Sequence, residues 1–377
     1  MIGKLVGFPT VSRDSNLALI DYVRELLAKM NAEVRLTFDD DRRKANLFAT
    51  IGPRGDGGLV LSGHTDVVPV QGQAWDSDPF TILEKDGRLY GRGTSDMKSF
   101  IAIALALLPQ YASQLKRPLH VAFSYDEEVG CIGVGRLIED LARASVRPSG
   151  CIVGEPTLMA PVIAHKGKKS YRCSVRGLAA HSAYAPRAVN AVEAAAEAVA
   201  FLKTMARRHR DGGPFDHGFD VPHTTVHTGV LHGGTALNIV PHDATFDFEF
   251  RHLPGDDPEA LLAEFKACLA RLEPEMHAID ARTGFDLIEL SHIPALDVSA
   301  ETQIVALVQE LTGNQETGKV SYGTEASQFQ RAGIPTVVCG PGSIEQAHKP
   351  NEYIDLAQVA ECENMLRKLL ERMTRSM

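Results

Sequence analysis

Histidines and carboxylates follow one apolar stretch of this sequence after another, a pattern that suits metal binding. His64, in LSGHTD, follows the apolar residues 59–61, and Glu155 follows residues 151–153. The other candidates also come at or shortly after short apolar or turn-rich segments: Asp96, Glu127, Glu128 and His348. Imidazole nitrogens and carboxylate oxygens are ligands of Zn2+ and other divalent cations. These residue types together predict a hydrolytic metal site.

Each of these residues has an ordinary structural explanation when it is considered alone. A single histidine at a strand end is more often a hydrogen-bonded polar residue than a ligand, and Glu127 with Glu128 could begin a solvated helix. Asp66 could be a plain turn former, or it could orient the His64 imidazole through the far ring nitrogen. The joint pattern favours metal binding, because solvated charges would scatter among loops instead of following successive strands.

The charges of the candidate ligands favour two cations. If Asp96 bridges two divalent ions while Glu128 and Glu155 bind one each, three carboxylates and a hydroxide nearly neutralise the pair. Near-neutrality matters because an uncompensated charge is costly away from water. Mixed nitrogen and oxygen ligation favours Zn2+, with Co2+ or Mn2+ as alternatives.

A change of pattern along the chain divides it into domains. Residues 1–166 alternate short β-branched runs with helices, which is typical of an α/β fold with a mostly parallel central sheet. Residues 167–282 predict the order β-α-β-β-α-β of an inserted ferredoxin-like domain, with residues 277–282 as its last strand. Residues 283–377 return to the first domain. Parallel strands suit the predicted site, because ligands bind beyond their carboxyl ends.

Composition limits the class of protein. The chain has 377 residues, 44% of them hydrophobic, and can bury a substantial core in two domains. Its net charge of -9 argues against nucleic acid as a partner. The six cysteines form no C-x-x-C pair and fit a reducing, cytoplasmic setting. No signal-peptide core stands at the start, and no apolar run is long enough to span a membrane.

With these motifs assembled, the chain resembles the M20 family of dinuclear metallohydrolases over nearly its whole length. The similarity rests on LSGHTDVVP, LYGRGTSDMK, DEEVG, GEPT and CGPGSIEQAHKPNEYI, which are specific in combination. The resemblance implies a zinc-exopeptidase-like catalytic domain with an inserted lid and dimerisation domain, and therefore a homodimer. It also implies a cis peptide bond between Asp96 and Met97.

The resemblance also implies a role for each candidate. The implied metal ligands form two sets that share a bridging aspartate: His64, Asp96 and Glu155, and Asp96, Glu128 and His348. Glu127 would be the general base and acid, because one of two adjacent carboxylates can stay free to move protons.

Residues of the inserted domain would complete the site. His181 would reach the partner subunit's site and stabilise an oxyanion. Asn238 and Arg251 would hold the substrate, and Arg251 would bind the carboxylate of the substrate. On the residues alone, His181 is a surface-loop histidine and Arg251 a solvated strand residue. Glu325, in the branch-specific GTEAS segment, would pair with the ammonium group of ornithine.

One branch of the family is most similar through GEPT, AHKG and GTEAS, and its members hydrolyse N2-acetyl-L-ornithine to L-ornithine and acetate. This reaction is the expected activity. Within the family, the alternatives are removal of succinate from succinyl-diaminopimelate and deacylation of a broader range of N-acyl amino acids. A catalytically silent binding protein is a further alternative, against which the complete ligand set and Glu127 argue.

Overall fold

The computed structural model of the protein describes residues 1–375 and divides the chain into two compact units. Unit 1 comprises Met1–Ala164, Leu296–Lys319 and the chain from Thr324 onward. Unit 2 comprises His165–Ala295 and the short return Val320–Gly323. Among the helices that the structure describes, none combines the length and the hydropathy needed to cross a lipid bilayer.

The helices and strands follow one another in three blocks. Before the insertion lie α1 (Ile2–Val6), α2 (Leu17–Ala28), β1 (Glu33–Phe38), β2 (Ala45–Ile51), β3 (Leu59–His64), β4 (Leu83–Lys85), β5 (Arg88–Tyr90), α3 (Lys98–Tyr111), β6 (Leu119–Ser124), α4 (Ile132–Arg143), β7 (Gly150–Val153) and β8 (Val162–His165). The insertion holds β9 (Gly167–Arg176), α5 (Ala191–Gly212), β10 (Thr225–Gly233), β11 (Asp243–His252), α6 (Pro258–Ile279) and β12 (Gly284–Ile293). After it come β13 (Leu296–Asp297), α7 (Gln303–Thr312), β14 (Gly318–Val320), α8 (Ala326–Arg331), β15 (Thr336–Val338), β16 (Tyr353–Asp355) and α9 (Leu356–Met373).

The central sheet of unit 1 is parallel in its middle and antiparallel towards its edges. Strands β6, β3, β7 and β15 lie side by side and run parallel. The β1–β2, β2–β6 and β15–β8 pairs are antiparallel. Every residue of β6 and β7 is buried, as expected for apolar strands covered on both faces. The structure thus confirms the predicted α/β fold, and the carboxyl ends of the four middle strands meet at one edge.

Unit 2 is an antiparallel sheet with two helices. Its strand order is β10-β11-β9-β12, and its elements follow the predicted order β-α-β-β-α-β. Alternation along β11 buries Phe246, Phe248 and Phe250, and the Phe248 ring lies 4.7 Å from the ring of Phe265 in α6. Cross-strand and helix–sheet contacts between aromatic rings form the core of this unit. Its expected role in dimerisation stays a prediction.

The last strand of unit 2 is not where the sequence predicted it. Residues 277–282 lie in the final turn of α6 and in the turn after it, because the helix continues through Pro274 to Ile279. The strand is β12, whose backbone pairs with β9 from Gly284 to Ile293. Unit 2 therefore ends after Ala295, beyond the predicted boundary at Arg282, and it begins at His165.

Candidate metal centre

Three of the predicted ligands meet where the middle strands of unit 1 end. His64 is the last residue of β3, Glu155 follows β7, and Asp96 lies in the turn before α3. The His64 Nε2 atom is 2.9 Å from Asp96 Oδ1 and 3.6 Å from Glu155 Oε1. We call these three residues, all buried, the first cluster. One ligand atom from each lies within 4.8 Å of the other two, a spacing that a single cation can span.

A second group of ligands lies on the other side of Asp96. His348, from the loop between β15 and β16, places its Nε2 atom 3.2 Å from Asp96 Oδ2 and 2.9 Å from Glu128 Oε2. Glu128 comes from the loop after β6. We call Asp96, Glu128 and His348 the second cluster.

The Asp96 carboxylate is shared between the clusters by its two oxygens. Oδ1 faces His64 and Oδ2 faces His348. A carboxylate placed in this way can bind one cation through each oxygen, as in centres that hold two metal ions. The arrangement fits the predicted dinuclear site.

Two observations show that the first cluster suits a cation. The His64 Nδ1 atom lies 2.9 Å from the backbone oxygen of Asp66, so the neutral ring carries its proton on Nδ1 and has a lone pair on Nε2. That lone pair faces carboxylate oxygens, which are also electron-rich. Within residues 1–375, Glu155 Oε1 is buried and accepts no hydrogen bond. A positive ion would satisfy both groups.

The electrostatics of the clusters show the same need for positive charge. Burial raises the pKa of Glu155 well above its usual range. Burial opposes a charged His64 imidazole, but Glu155 and Asp96 outweigh it and raise the pKa of His64. Hydrogen bonds with Asp96 and Glu128 raise the pKa of His348 to about 10. Protons are therefore held tightly wherever a cation is not bound.

Asp66 orients the site in a different way from the one predicted. Its backbone oxygen, and not its carboxylate, accepts from the His64 ring, and the nearer carboxylate oxygen is 3.7 Å from Nδ1. The carboxylate accepts instead from the backbone N–H groups of Glu127 at 3.1 Å and Glu128 at 3.3 Å. It also accepts from the Ser12 hydroxyl at 2.7 Å. Asp66 thus holds the loop that carries the paired glutamates.

Glu127 is close to the clusters but belongs to neither of them. Its Oε1 atom accepts from the Cys131 thiol at 3.1 Å. Burial raises the pKa of Glu127 to about 8, and the neighbouring charges of Glu128 and Asp96 add to the effect, while His64 opposes it. A carboxyl group with a pKa near neutral can both accept and donate a proton, which suits acid–base chemistry.

Glu325 is not where a substrate ammonium could reach it. The residue is completely buried, and its two oxygens accept from the hydroxyl groups of Ser62 and Ser124, each at 2.6 Å. The predicted pairing with ornithine therefore does not fit this arrangement. The residue instead joins β3 and β6 inside unit 1.

The site residues expected from the insertion lie within unit 2. His181 and Asn238 are both exposed. They lie close together, because the N–H of Ser182 donates to the Asn238 backbone oxygen at 3.0 Å. Arg251 is half-buried in β11, and its Nε donates to Glu249 at 2.9 Å. Their roles stay predictions.

Sequence reasoning missed a buried ion pair next to the clusters. The guanidinium of Arg92 lies 2.7 Å from the carboxylate of Glu352, and both side chains are almost fully buried. The sequence held a signal for this pair. Arg92 lies with Asp96 in LYGRGTSDMK, and Glu352 lies with His348 in CGPGSIEQAHKPNEYI. The predicted cis peptide bond between Asp96 and Met97 is confirmed.

Comparison with known proteins agrees with this geometry. Residues 60–372 match the family described as peptidase family M20/M25/M40. The chain is 35% identical to the acetylornithine deacetylase of Proteus mirabilis, with 98% of this chain and 94% of that protein covered. It is 39% identical to the acetylornithine deacetylase of Myxococcus xanthus, over 96% of this chain and 94% of that protein. In fold it resembles an M20 family metallo-carboxypeptidase from Sulfolobus solfataricus, with a TM-score of 0.77, 17% identity and coverage of 99% and 98%.

The fold and the His/Asp/Glu clusters define a hydrolase with a candidate dinuclear metal site. The chain belongs to peptidase family M20/M25/M40. It is therefore an enzyme that acts on amide bonds, and its family is metal-dependent.

Metal binding should displace protons, since the ligating imidazoles must be neutral. The pKa values of His64 and His348 are raised, so both rings hold a proton more tightly than a free imidazole does. The pKa values of Glu155 and Glu128 are raised as well, so we expect the binding of two Zn2+ ions to release protons from imidazole and carboxyl ligands, and the affinity to increase as the pH rises. Calorimetry in buffers of different ionisation enthalpy measures this release. Binding without proton release, or with an affinity that falls as the pH rises, would contradict the proposed ligation.

Proposed function

We propose that this protein hydrolyses the acetamide of N2-acetyl-L-ornithine to L-ornithine and acetate, a step of arginine biosynthesis. The observation that carries the proposal is the combination of a complete pair of clusters with similarity, over nearly the full chain, to proteins named acetylornithine deacetylase. Six buried and unpaired cysteines support a reducing, cytoplasmic location.

Two divalent cations are part of the proposal, with Zn2+ favoured and Co2+ as an alternative. The first cluster would hold one ion and the second cluster the other, with Asp96 in contact with both. Such ions polarise an amide carbonyl and lower the pKa of a nearby water molecule. The ligand set contains nitrogen and oxygen but no thiolate, which is compatible with either metal.

Glu127 would move the protons of the reaction. Its carboxyl group belongs to neither cluster and has the Cys131 thiol as a neighbour, so it stays free to take a proton from water and later give it to the leaving amine. The adjacent Glu128 is hydrogen-bonded to His348 and belongs to the second cluster. This difference in contacts separates proton transfer from metal binding in two neighbouring residues.

His181 would stabilise the oxyanion of the tetrahedral intermediate. Its Nδ1 atom accepts from the backbone N–H of Ala183 at 3.1 Å, so the neutral ring carries its proton on Nε2. An N–H group that is free to donate is what an oxyanion requires. We propose that this donor serves the partner subunit's site in a homodimer formed through unit 2. Asn238 and Arg251 would hold the substrate, Arg251 through the substrate carboxylate.

A panel of substrates tests the proposed reaction. We expect the Zn2+- or Co2+-loaded protein to hydrolyse N2-acetyl-L-ornithine with a kcat/KM at least about tenfold higher than for N-succinyl-diaminopimelate or neutral acetylated amino acids. Chromatographic separation of the released amino acid from each substrate measures the rate. Preference for the succinyl substrate would contradict the proposal and identify a desuccinylase. The absence of turnover for every substrate, in protein shown to hold two ions, would indicate a binding protein.

Replacing Glu127 separates proton transfer from metal binding. Glu127→Ala should lower kcat by about 100-fold or more, because no other group would take its proton, while both metal ions stay bound. Activity assays combined with metal analysis by mass spectrometry test this. Asp126→Asn is the matched control. Its carboxylate immediately precedes Glu127 in the chain, but it pairs with Lys44 and belongs to neither cluster. Loss of a metal ion from Glu127→Ala would make the residue a ligand instead.

Mixed dimers test whether His181 acts across subunits. His181→Ala and Glu127→Ala chains are each expected to be inactive, but a mixed dimer contains one site with both residues intact. Co-expression with different affinity tags allows the mixed dimer to be isolated. About half of the parent activity per dimer is expected if both sites work independently. A purified mixed dimer as inactive as its parents would rule out a contribution from the partner.

A further inference from the structure

The carboxylate of Glu352 is wrapped by the turn that carries Asp96. Its Oε1 atom accepts from the backbone N–H groups of Gly93 at 3.1 Å, Ser95 at 2.8 Å and Asp96 at 3.1 Å. Its own backbone oxygen accepts from Gly91 at 2.9 Å. Successive backbone N–H groups that point at one anion form a concave anion-binding turn. The position of Asp96 therefore depends on the position of the Glu352 side chain.

A second set of contacts links Glu352 to the loop of His348. Its Oε2 atom accepts from Arg92 Nη1 at 2.7 Å, and Arg92 Nη2 donates to Gln73 Oε1 at 2.6 Å. The amide nitrogen of Gln73 donates to the backbone oxygen of His348 at 2.9 Å. Arg92 Nη1 also contacts the backbone oxygen of Lys349 at 3.3 Å. One hydrogen-bonded chain thus runs from the turn of Asp96 to the loop of His348.

His348 needs such support more than the other candidate ligands do. Its backbone has a φ of 63°, in the left-handed region that residues other than glycine rarely adopt. About half of its side chain is exposed, whereas His64 is buried at the end of a strand. Packing at the end of the strand and the contact with the Asp66 backbone oxygen fix His64, but the loop of His348 depends on its hydrogen bonds.

We infer that Glu352, acting through Arg92 and Gln73, is a positioning residue that sets the distance between Asp96 and His348 and so determines the cation affinity of the second cluster. This inference rests on the proposed two-cation site. Groups that contact ligands without binding the metal change affinity by about 10- to 100-fold when they are altered. The first cluster shares Asp96 but not the His348 loop, so its affinity should change less.

Two variants separate the contacts of Glu352 with the turn of Asp96 from the hydrogen-bonded chain that leads to the loop of His348. Glu352→Gln is close in size, but its amide nitrogen cannot accept from backbone N–H groups or from Arg92. It should weaken the second cluster about 10- to 100-fold and the first cluster less. Gln73→Ala removes the link between Arg92 and His348, and with it the hydrogen bond from the Trp75 indole to Gln73 Oε1 at 3.1 Å, but leaves the contacts of Glu352 with the turn of Asp96 in place. Gln73 is only half-buried, so the variant should fold. It should weaken the second cluster by about tenfold and leave the first unchanged.

Each variant has a matched control. Asp355→Asn breaks an exposed carboxylate–arginine pair in β16, with Arg88 at 2.9 Å, that has no contact with the turn of Asp96. Gln71→Ala makes the same chemical change as Gln73→Ala at an exposed position two residues away. Both controls should bind two ions as the parent does.

Metal affinity, measured without substrate, decides between positioning and simple structural support. Full-length protein is dialysed against Zn2+ buffered by a chelator, bound zinc is counted by mass spectrometry, and the thermal unfolding of the metal-free protein is recorded alongside. A structural role alone would lower the unfolding temperature of Glu352→Gln but leave both affinities of the folded protein unchanged, and that result overturns the inference. If Glu352→Gln does not fold, Gln73→Ala decides, because equal second-site affinity in Gln73→Ala and Gln71→Ala overturns it as well. A parent protein that binds fewer than two ions would overturn both the inference and the proposed site. A parent protein that binds two ions but does not act on acetylornithine would overturn only the proposed substrate.

Discussion

Repulsion among buried carboxylates is the constraint on which the rest of the site depends. Asp96 has a ligand atom within 4.8 Å of one from Glu155 in the first cluster and of one from Glu128 in the second, and Glu127 precedes Glu128 in the chain. Two unit charges about 5 Å apart repel by about 3 kcal/mol at an effective dielectric constant of ~20. Several such pairs would exceed the net stability of an ordinary domain. The group must therefore hold protons or cations. The raised pKa values of Glu127 and Glu155 show the first solution, and the two clusters on either side of Asp96 provide for the second.

The fold keeps these charges together by fixing their backbones. Buried parallel strands deliver His64 and Glu155 to one edge of the sheet, where rigid packing on both faces limits their movement. The loops are held by other carboxylates, which accept hydrogen bonds from backbone N–H groups. Asp66 binds the loop of Glu127 and Glu128, and Glu352 binds the turn of Asp96. Anionic groups thus position the ligands without binding the cations themselves.

The sequence predicted the parts of the site that follow directly from strand ends. His64 and Glu155 come within three residues of the ends of short apolar runs, so a parallel sheet brings them together without any knowledge of the loops. The support around them depends on contacts between residues far apart in the chain. Glu325 meets Ser62 across 263 positions, and its burial gives no local signal that would separate it from a substrate-binding group. The same holds for Arg92 and Glu352, which are 260 positions apart.

The inserted unit shows a different limit of prediction. The alternation of Phe246, Phe248 and Phe250 is visible in the sequence, and it matches β11, in which every second residue faces the core. The predicted last strand, residues 277–282, overlaps the end of α6, which continues through Pro274 although a proline usually ends a helix. The true last strand, β12, is specified by its pairing with β9, and such pairing between distant segments is not visible in local periodicity.

In the proposed site, Asp96 lies between two cations. Crystals of the full-length protein grown with Zn2+, and measured with X-rays on both sides of the zinc absorption edge, would locate each ion directly. We expect two anomalous peaks about 3.5–4 Å apart, one near Asp96 Oδ1 with His64 and Glu155, and the other near Asp96 Oδ2 with Glu128 and His348. A single peak in zinc-saturated crystals, or two peaks of which either lies beyond bonding distance of Asp96, would contradict it.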